Sequence, residues 1–240
     1  MTKEIFSKEL FSEEEKRRLA EELIIKLRIL RHGESTNYGE KDALLTERGK
    51  MQMRQKAAEL ANEIKSIGRP GLVPIYCSER RRTEESANII YKELKKIFGE
   101  KNLWGIKLYA PKILDLLTEP ANIVDELEKG KKSTKDALDY WYSALEEELA
   151  KEGIPTPLIF AKKLSNYFDT ARPFIARSVD PEIYFGIFVT HENSLGALIK
   201  HYLPEQDTHI AHGDILRIDK NKTGNITLFR FRKEYSVLYE

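Results

Sequence analysis

Polar and basic side chains lie at or just after the ends of three apolar stretches of the sequence. Arg31 and His32 follow the first stretch, and His191 ends the last. Ser78 closes the middle stretch, and a run of three arginines that ends at Arg82 comes just behind it. Arginine offers phosphate a planar and permanently charged set of donors, and a neutral imidazole can attack phosphorus. With a carboxylic acid to protonate the leaving oxygen, these residue types predict phosphoryl chemistry if the fold brings them together.

A fold in which strands and helices alternate would bring these residues together. We predict strands over 23–30, 72–78, 104–110 and 183–191, and helices over 45–68, 81–98, 156–178 and 194–203. Two alternating segments, 214–220 and 225–233, predict an antiparallel hairpin on the edge of the sheet. Because the carboxyl ends of parallel strands converge in an open α/β sheet, the basic groups should share one crevice. We therefore expect an α/β fold, a three-layer α/β/α sandwich around a mixed, mostly parallel sheet.

The length of 240 residues fits one domain with additions. Residues 1–22 are highly charged and predict a helical extension, so a single domain would cover 23–240. Between 111 and 155 the pattern loosens into one or two helices around a polar, Lys-rich turn. We expect this segment to be a helical cap inserted over the sheet edge, where it would form part of a substrate lid.

The composition of the chain limits which partners and which location we expect. Forty Lys and Arg against 39 Asp and Glu give a formal net charge of +1, so no overall field attracts nucleic acid or a membrane. The single cysteine cannot form an internal disulfide, which is typical of a reducing compartment. The N-terminus lacks the apolar stretch of a signal peptide, and no run approaches the roughly 18 apolar residues of a membrane span. We expect a cytoplasmic protein whose partner is a small phosphorylated substrate or phosphate ion.

Four blocks of the sequence resemble, in order, the motifs of the histidine phosphatase superfamily, which has the phosphoglycerate mutase-like fold. They are LRHGES at 30–35, LTERG at 45–49, CSERRRTEESANII at 77–90 and VTHENSLGALI at 189–199. Within each block the spacing also matches, and the resemblance extends from about Leu27 to Phe231. It implies a phosphoglycerate mutase-like α/β fold and a phosphatase activity that needs neither a metal nor a cofactor.

The resemblance also implies a role for individual residues. His32 would be the nucleophile that forms a phosphohistidine, and Arg31 and Arg82 would hold the phosphate. His191 would be the second imidazole in contact with the phosphoryl group. Two further residues of the first block, Glu34 and Ser35, are expected among the phosphate-binding residues.

Three carboxyl groups are candidates for the proton donor. In the main branch of the family the acid follows the third strand in a Leu, any residue, Glu context, and there the sequence LLTEP offers Glu119. Asp115 lies slightly earlier, in KILDL. The acid-phosphatase branch instead has an Asp directly after its second histidine, where this chain has Glu192. We favour Glu119 and keep Asp115 and Glu192 as alternatives.

Departures from the family pattern bear on the reaction. The segment from His32 to Leu45 is shorter than in typical mutases, and the Glu-Arg-His-Tyr-Gly block of a phosphoglycerate mutase is absent. The sequence therefore favours a phosphomonoesterase that acts through phospho-His32. The alternatives are a phosphomutase with the same nucleophile and a non-catalytic protein that binds a phosphorylated ligand.

Two other features have simpler interpretations. Cys77 lacks the arginine six positions later that a cysteine phosphatase needs, since that residue is Thr83, so we predict a buried strand cysteine. His209 and His212 precede a strand in a loop, and no third ligand is evident. We therefore predict no metal site at this histidine pair.

Overall fold

A computed structural model gives the structure of the protein. It describes residues 24–36, 42–99, 105–117, 140–142, 146–151, 156–159, 161–164, 166–167, 183–203, 210–220, 226–230 and 233–237. The predicted extension at 1–22 lies outside the described residues, as do Glu119 and His209.

Strands and helices alternate along the first half of the described chain. The elements are β1 (Ile24–Arg31), α1 (Glu47–Ile67), β2 (Gly71–Val73), β3 (Ile75–Cys77), α2 (Arg81–Phe98), β4 (Ile106–Leu108), β5 (Lys112–Ile113), a 3-10 helix (Asp115–Leu117), α3 (Glu146–Lys151), β6 (Ile183–Thr190), α4 (Glu192–Tyr202), β7 (Ile215–Lys220), β8 (Ile226–Arg230) and β9 (Lys233–Val237).

The strands form one mixed sheet in the order β4-β2-β6-β1-β7-β8-β9. Strands β1, β2 and β3 each run parallel to β6, and β4 and β5 extend the parallel part. Strand β7 runs antiparallel to β1 and is followed by antiparallel β8 and β9. The predicted mostly parallel α/β fold is confirmed, and β7 lies inside the sheet, beside β1.

Apolar side chains cover both faces of this sheet. On one face, Ile25, Leu27 and Ile29 of β1 pack with buried residues of α4. On the other face, Leu30 and alternate residues of β6 pack against α1 and α2. A strand in the middle of a three-layer fold is buried on both sides, which explains the continuous apolar run of β6.

The predicted strand at 72–78 is divided in two at Pro74. Proline has no N–H to give to a strand ladder, so β2 ends before it and β3 begins after it. The carbonyl of Pro74 still accepts a hydrogen bond from Ile187 of β6 at 3.0 Å. The two pieces therefore keep their place along β6, and the second piece ends at Cys77 next to the predicted site.

Helix α1 has the ends that its sequence predicts. The hydroxyl of Thr46 accepts a hydrogen bond from the N–H of Gly49 at 3.0 Å, which caps the first turn. Gly68 ends the helix in the left-handed region, with φ of 65°. Helix α2 begins at Arg81 and ends at Phe98, as predicted.

Parts of the segment predicted as a cap belong to the core. Leu117, Trp141 and Leu149 are buried in the cluster on the α4 face of the sheet. The hydroxyl of Tyr142 donates to the carbonyl of Asn193 at 3.1 Å, on the first turn of α4. The described residues of 111–155 thus support the helix that follows His191, and a lid role for this segment stays a prediction. Among the described residues, no helix is long and apolar enough to cross a membrane.

Candidate active site

Strand register brings the two predicted histidines together. Arg31 of β1 is level with Thr190 of β6, so the residue after each strand, His32 or His191, enters the same space. The N–H of His32 donates to the carbonyl of Thr190 at 3.0 Å, which holds the two strand ends side by side. The imidazole centroids are 5.3 Å apart, and the two residues are only 2% and 1% exposed.

Arg82 links the two imidazoles. Its Nε donates to Nε2 of His32 at 3.1 Å, and its Nη2 lies 3.3 Å from Nδ1 of His191. The guanidinium comes from the first turn of α2, whose N-terminal end faces the ends of β1 and β6. Because arginine only donates hydrogen bonds, both ring nitrogens that it contacts accept them and therefore carry no proton.

Neighbouring oxygens fix the other nitrogen of each ring. Nδ1 of His32 lies 2.7 Å from the carbonyl oxygen of Gly33, so this nitrogen carries the proton and Nε2 keeps its lone pair. Nε2 of His191 lies 2.8 Å from Oγ of Ser78, which in turn lies 2.8 Å from Oγ1 of Thr83. The Ser78 and Thr83 pair thus orients the second imidazole from the end of β3 and the start of α2.

The surroundings keep both histidines neutral. Burial is the main cause that lowers the pKa of His32 well below its ordinary value of 6.5, and the charges of Arg82 and Arg31 lower it further. Burial also lowers the pKa of His191, followed by the effects of His32 and Arg82. Near pH 7, Nε2 of His32 is therefore an unprotonated nitrogen beside cationic side chains, as nucleophilic attack on a phosphate requires.

Arg31 is held from several directions. Its Nη2 pairs with Oε2 of Glu192 at 2.9 Å, and its Nη1 donates to the carbonyl of Ile210. Both Arg31 and Glu192 are largely buried. The carboxyl group of Glu192 is therefore beside the histidine pair, at the first residue of α4.

Two glycines of the motif blocks allow the backbone near His32 to approach α1. A Cβ on Gly33 would lie 2.5 Å from the carbonyl oxygen of Gly49, and one on Gly49 would lie 2.0 Å from that of Glu34. Neither position can hold a larger residue without displacing backbone. Ser86 adds a link to α2, because its Oγ accepts from the N–H of Gly33 at 3.3 Å and donates to the carbonyl of Arg82 at 2.7 Å.

The other predicted site residues have separate surroundings. Oε1 of Glu34 accepts from the hydroxyl of Thr46 at 3.0 Å, and Ser35 forms a β-bridge with Leu45. Asp115 is exposed in the 3-10 helix. Their parts in phosphate binding and proton transfer stay predictions.

A residue that the sequence motifs do not include in the site lies beside His32. The ring centroids of His212 and His32 are 5.5 Å apart. The sequence carried a signal for this position, since His212 comes shortly before β7. It can be interpreted only once β7 is known to run antiparallel to β1, which puts the start of β7 at the end of β1.

Cys77 is the buried strand residue that its sequence context predicts. It is 1% exposed, and burial, followed by the charge of Glu84, raises the pKa of its thiol to about 11. A thiol with that pKa is protonated near pH 7 and is a poor nucleophile. The nucleophile candidates at this end of the sheet are therefore the imidazoles.

Comparisons with known proteins show which family and fold this chain resembles. Residues 27–103 match the family model of the histidine phosphatase superfamily, branch 1. The fold resembles that of a phosphoglycerate mutase from Bacillus anthracis, with 15% identity, a TM-score of 0.58, and coverage of 89% of this chain and 95% of that one. No protein in the curated set matches the sequence.

A second similar structure is a phosphoserine phosphatase from Entamoeba histolytica in complex with 3-phosphoglyceric acid. It has 18% identity and a TM-score of 0.50, and the match covers 90% of this chain and 98% of that one. At these identities the two structures establish the fold. Residues 27–103 thus resemble the histidine phosphatase superfamily, and the chain as a whole has the fold of the phosphoglycerate mutase-like structures.

Proposed function

We propose that this protein is a metal-independent phosphomonoesterase that acts through a phosphohistidine on His32. The observation that carries the proposal is the arrangement of two buried, neutral imidazoles, His32 and His191, joined by the guanidinium of Arg82. The match of residues 27–103 to the histidine phosphatase family model supports phosphoryl chemistry at His32 and Arg82, and the departures from the mutase pattern favour hydrolysis.

The reaction has two displacements. Nε2 of His32 attacks phosphorus, the P–N bond forms, and the ester P–O bond breaks as the leaving oxygen takes a proton from an acid. Water then attacks the phosphohistidine and gives a proton to the carboxylate left by the first step; the P–N bond breaks, and inorganic phosphate leaves with the imidazole and the acid restored. Arg31 and Arg82 offset the charge on the phosphoryl oxygens in both steps, and His191 holds the guanidinium of Arg82 through Nδ1.

Arg82 occupies the position that the phosphoryl group must approach. Its Nε donates to the Nε2 lone pair that is to attack, at 3.1 Å. When a phosphate ester enters, the same N–H groups can turn to its oxygens, because a guanidinium matches the planar edge of a phosphate. The hydrogen bond thus protects the lone pair from protonation until a substrate replaces it.

The proposed substrate is a small phosphorylated molecule. Phosphorylated carboxylic acids belong in the first panel, because the similar phosphoserine phosphatase was crystallised with 3-phosphoglyceric acid. We propose a cytoplasmic location as well, on the single free cysteine and the composition.

Release of inorganic phosphate tests the proposal. p-Nitrophenyl phosphate and a panel of natural phosphoesters are incubated with the native chain, with His32→Ala and with His201→Gln, all in EDTA. We expect activity in the native chain and in His201→Gln, and a loss of at least about 1,000-fold in His32→Ala.

Any of three results would overturn the proposal. Activity that EDTA abolishes would point to a metal mechanism. A stable phosphoenzyme that passes its phosphate to a second substrate faster than to water would indicate a phosphomutase. Binding of orthovanadate without turnover of any ester would indicate a non-catalytic phospholigand-binding protein.

A further inference from the structure

A tight turn between α4 and β7 places a third imidazole beside His32. The ring centroid of His212 lies 5.5 Å from that of His32, almost the same separation as the 5.3 Å between His32 and His191. The nucleophile therefore has an imidazole on two sides. Only the one at the end of β6 belongs to the motif blocks.

The turn that carries His212 has a well-defined geometry. The N–H of Asp214 donates to the carbonyl of Ala211 at 3.0 Å, and the N–H of Ala211 donates to Oδ2 of Asp214 at 3.0 Å. Gly213, the third residue of the turn, has φ of 79°. A type II turn requires a positive φ at this position, and glycine adopts it without strain. His212, the second residue of the turn, is thus fixed by hydrogen bonds at both ends.

The same turn is attached to the predicted phosphate-binding arginine. The N–H of Arg31 donates to the carbonyl of Asp214 at 3.1 Å, and the N–H of Gly213 donates to the carbonyl of Arg31 at 3.2 Å. The guanidinium of Arg31 donates to the carbonyl of Ile210 as well. These contacts make the position of His212 dependent on the residue next to the nucleophile.

One atom of His212 has no partner in the part of the chain that the structure describes. Nε2 is buried and makes no hydrogen bond there. A buried polar atom without a partner is costly, so its presence in a cluster of functional side chains points to a ligand. Because the cation of Arg31 and the ring of His32 are its neighbours, we expect this ligand to be an anion.

Charged groups around His212 set its protonation. Burial and the charge of Arg31 lower the pKa of His212 to about 4, against the opposing effects of Glu192 and Glu34, and Arg48 also lowers it. Near pH 7 the ring is therefore neutral, with one nitrogen able to donate and the other able to accept a hydrogen bond.

We propose that His212 is a third imidazole of the phosphate site, with its Nε2–H donating to an oxygen of the phosphoryl group that His32 attacks. This role deepens the proposed function and rests on it. His32, Arg82 and His191 approach the phosphoryl group from the ends of β1, α2 and β6. His212 approaches it from the start of β7, which the motif blocks leave without a contributor.

Two substitutions test which nitrogen acts. The side-chain nitrogen of Gln reaches about as far as Nε2 of histidine, whereas that of Asn reaches only about as far as Nδ1. We expect His212→Asn to lower kcat/KM and to weaken orthovanadate inhibition by about 10- to 100-fold, and His212→Gln to retain most of both. Equal and small effects of the two substitutions would overturn the proposal.

His201→Gln is the matched control. His201 lies in the last turn of α4, about 15 Å along the helix from His191. It is half-buried like His212 but far from the imidazole pair, so its substitution should leave kcat/KM and inhibition unchanged. Thermal unfolding of each variant separates a loss of the site from a loss of the fold.

A binding measurement on the native chain does not depend on any variant. With ¹⁵N-labelled histidine, orthovanadate should change the Nε2 resonance of His212 to that of a hydrogen-bonded N–H. Movement of the His32 and His191 resonances while that of His212 stays fixed would overturn the inference and leave the proposed function intact. Vanadate binding that includes His212, in a chain that releases no phosphate, would defeat the proposed function alone. No response of any histidine would defeat both.

Discussion

Each histidine of the pair reaches its orientation through a different neighbour. The backbone carbonyl of Gly33 holds the proton on Nδ1 of His32, and the hydroxyl of Ser78 holds Nε2 of His191. A carbonyl cannot be removed by a side-chain substitution, whereas a hydroxyl can. His32, the proposed nucleophile, is thus oriented by the backbone, and His191 by a side chain.

Comparing substrates with different leaving groups can identify the proton donor. An alkoxide needs a proton as the ester bond breaks, whereas p-nitrophenolate leaves readily without one. We expect Glu119→Gln to lower kcat about 100-fold or more on alkyl phosphates and far less on p-nitrophenyl phosphate. Asp115→Asn tests an alternative donor; because that carboxyl group is exposed we expect little effect on either substrate, and a selective loss there would transfer the role to Asp115. The same selective loss in Glu192→Gln would transfer the role to Glu192.

At the scale of elements, the close approach of β1 and α1 depends on glycine. In Gly49→Ala the new methyl group would lie 2.0 Å from the carbonyl oxygen of Glu34, so the backbone after His32 must move. We expect kcat/KM to fall at least about 10-fold and the free energy of unfolding to fall by about 1 to 3 kcal/mol. Helix propensity alone would change stability in the opposite direction, by about 1 kcal/mol.

Gly68→Ala is the control for that substitution. It adds the same methyl group at the far end of α1, where nothing lies within 4 Å. Its positive φ of 65° makes alanine strained there, so stability should fall while kcat/KM stays unchanged. Normal activity in Gly49→Ala would show that the contact does not position His32.

Arg28 joins three elements behind the site. Its guanidinium in β1 is 1% exposed, bonds both carboxylate oxygens of Glu63 in α1 and donates to Asp219 of β7 at 2.6 Å. Glu63→Gln leaves this buried cation short of a partner, and we expect a loss of about 2 kcal/mol or more in urea unfolding. Glu59→Gln, which breaks the pair with Lys56 on the surface of the same helix, should cost less than about 0.5 kcal/mol. Equal losses would mean that burial of Arg28 adds nothing to the pair.

At the scale of the whole molecule, the sequence predicts best what depends on local pattern. The bounds of α2, the capped ends of α1 and the buried strand β6 follow from periodicity and cap residues. The grouping of His32, Arg82 and His191 follows from parallel strands that share a carboxyl end. These features need no knowledge of which strands are neighbours across the antiparallel part of the sheet.

Long-range pairing is what the sequence pattern leaves open. The terminal hairpin has a clear alternation, but nothing local indicates that β7 inserts next to β1 or that the chain returns once more as β9. From the sequence alone His212 is therefore only a loop residue, although its turn adjoins Arg31. The segment 111–155 has no strong periodicity, and its buried Trp141 belongs to the core through contacts that only the fold defines.

The buried histidines also tie the stability of the whole molecule to pH. Burial lowers the pKa of His32, His191 and His212 in the folded chain, whereas in the unfolded chain each returns to about 6.5. Below that pH the unfolded state binds more protons, so the free energy of unfolding falls as the solution is acidified. Stability from these three groups is therefore fully present above pH 6.5 and is lost below it.

Urea unfolding at pH 6 and pH 5, in buffers without phosphate, measures the effect. Each histidine that stays neutral in the folded state contributes up to about 1.4 kcal/mol per pH unit. We expect His191→Gln to lose about 1 kcal/mol less than the native chain over this interval, because glutamine does not titrate. Carboxylates affect both chains alike and cancel in the difference. The same pH dependence in both chains would mean that His191 is protonated in the folded state, which would remove the neutral imidazole pair on which the proposed mechanism depends.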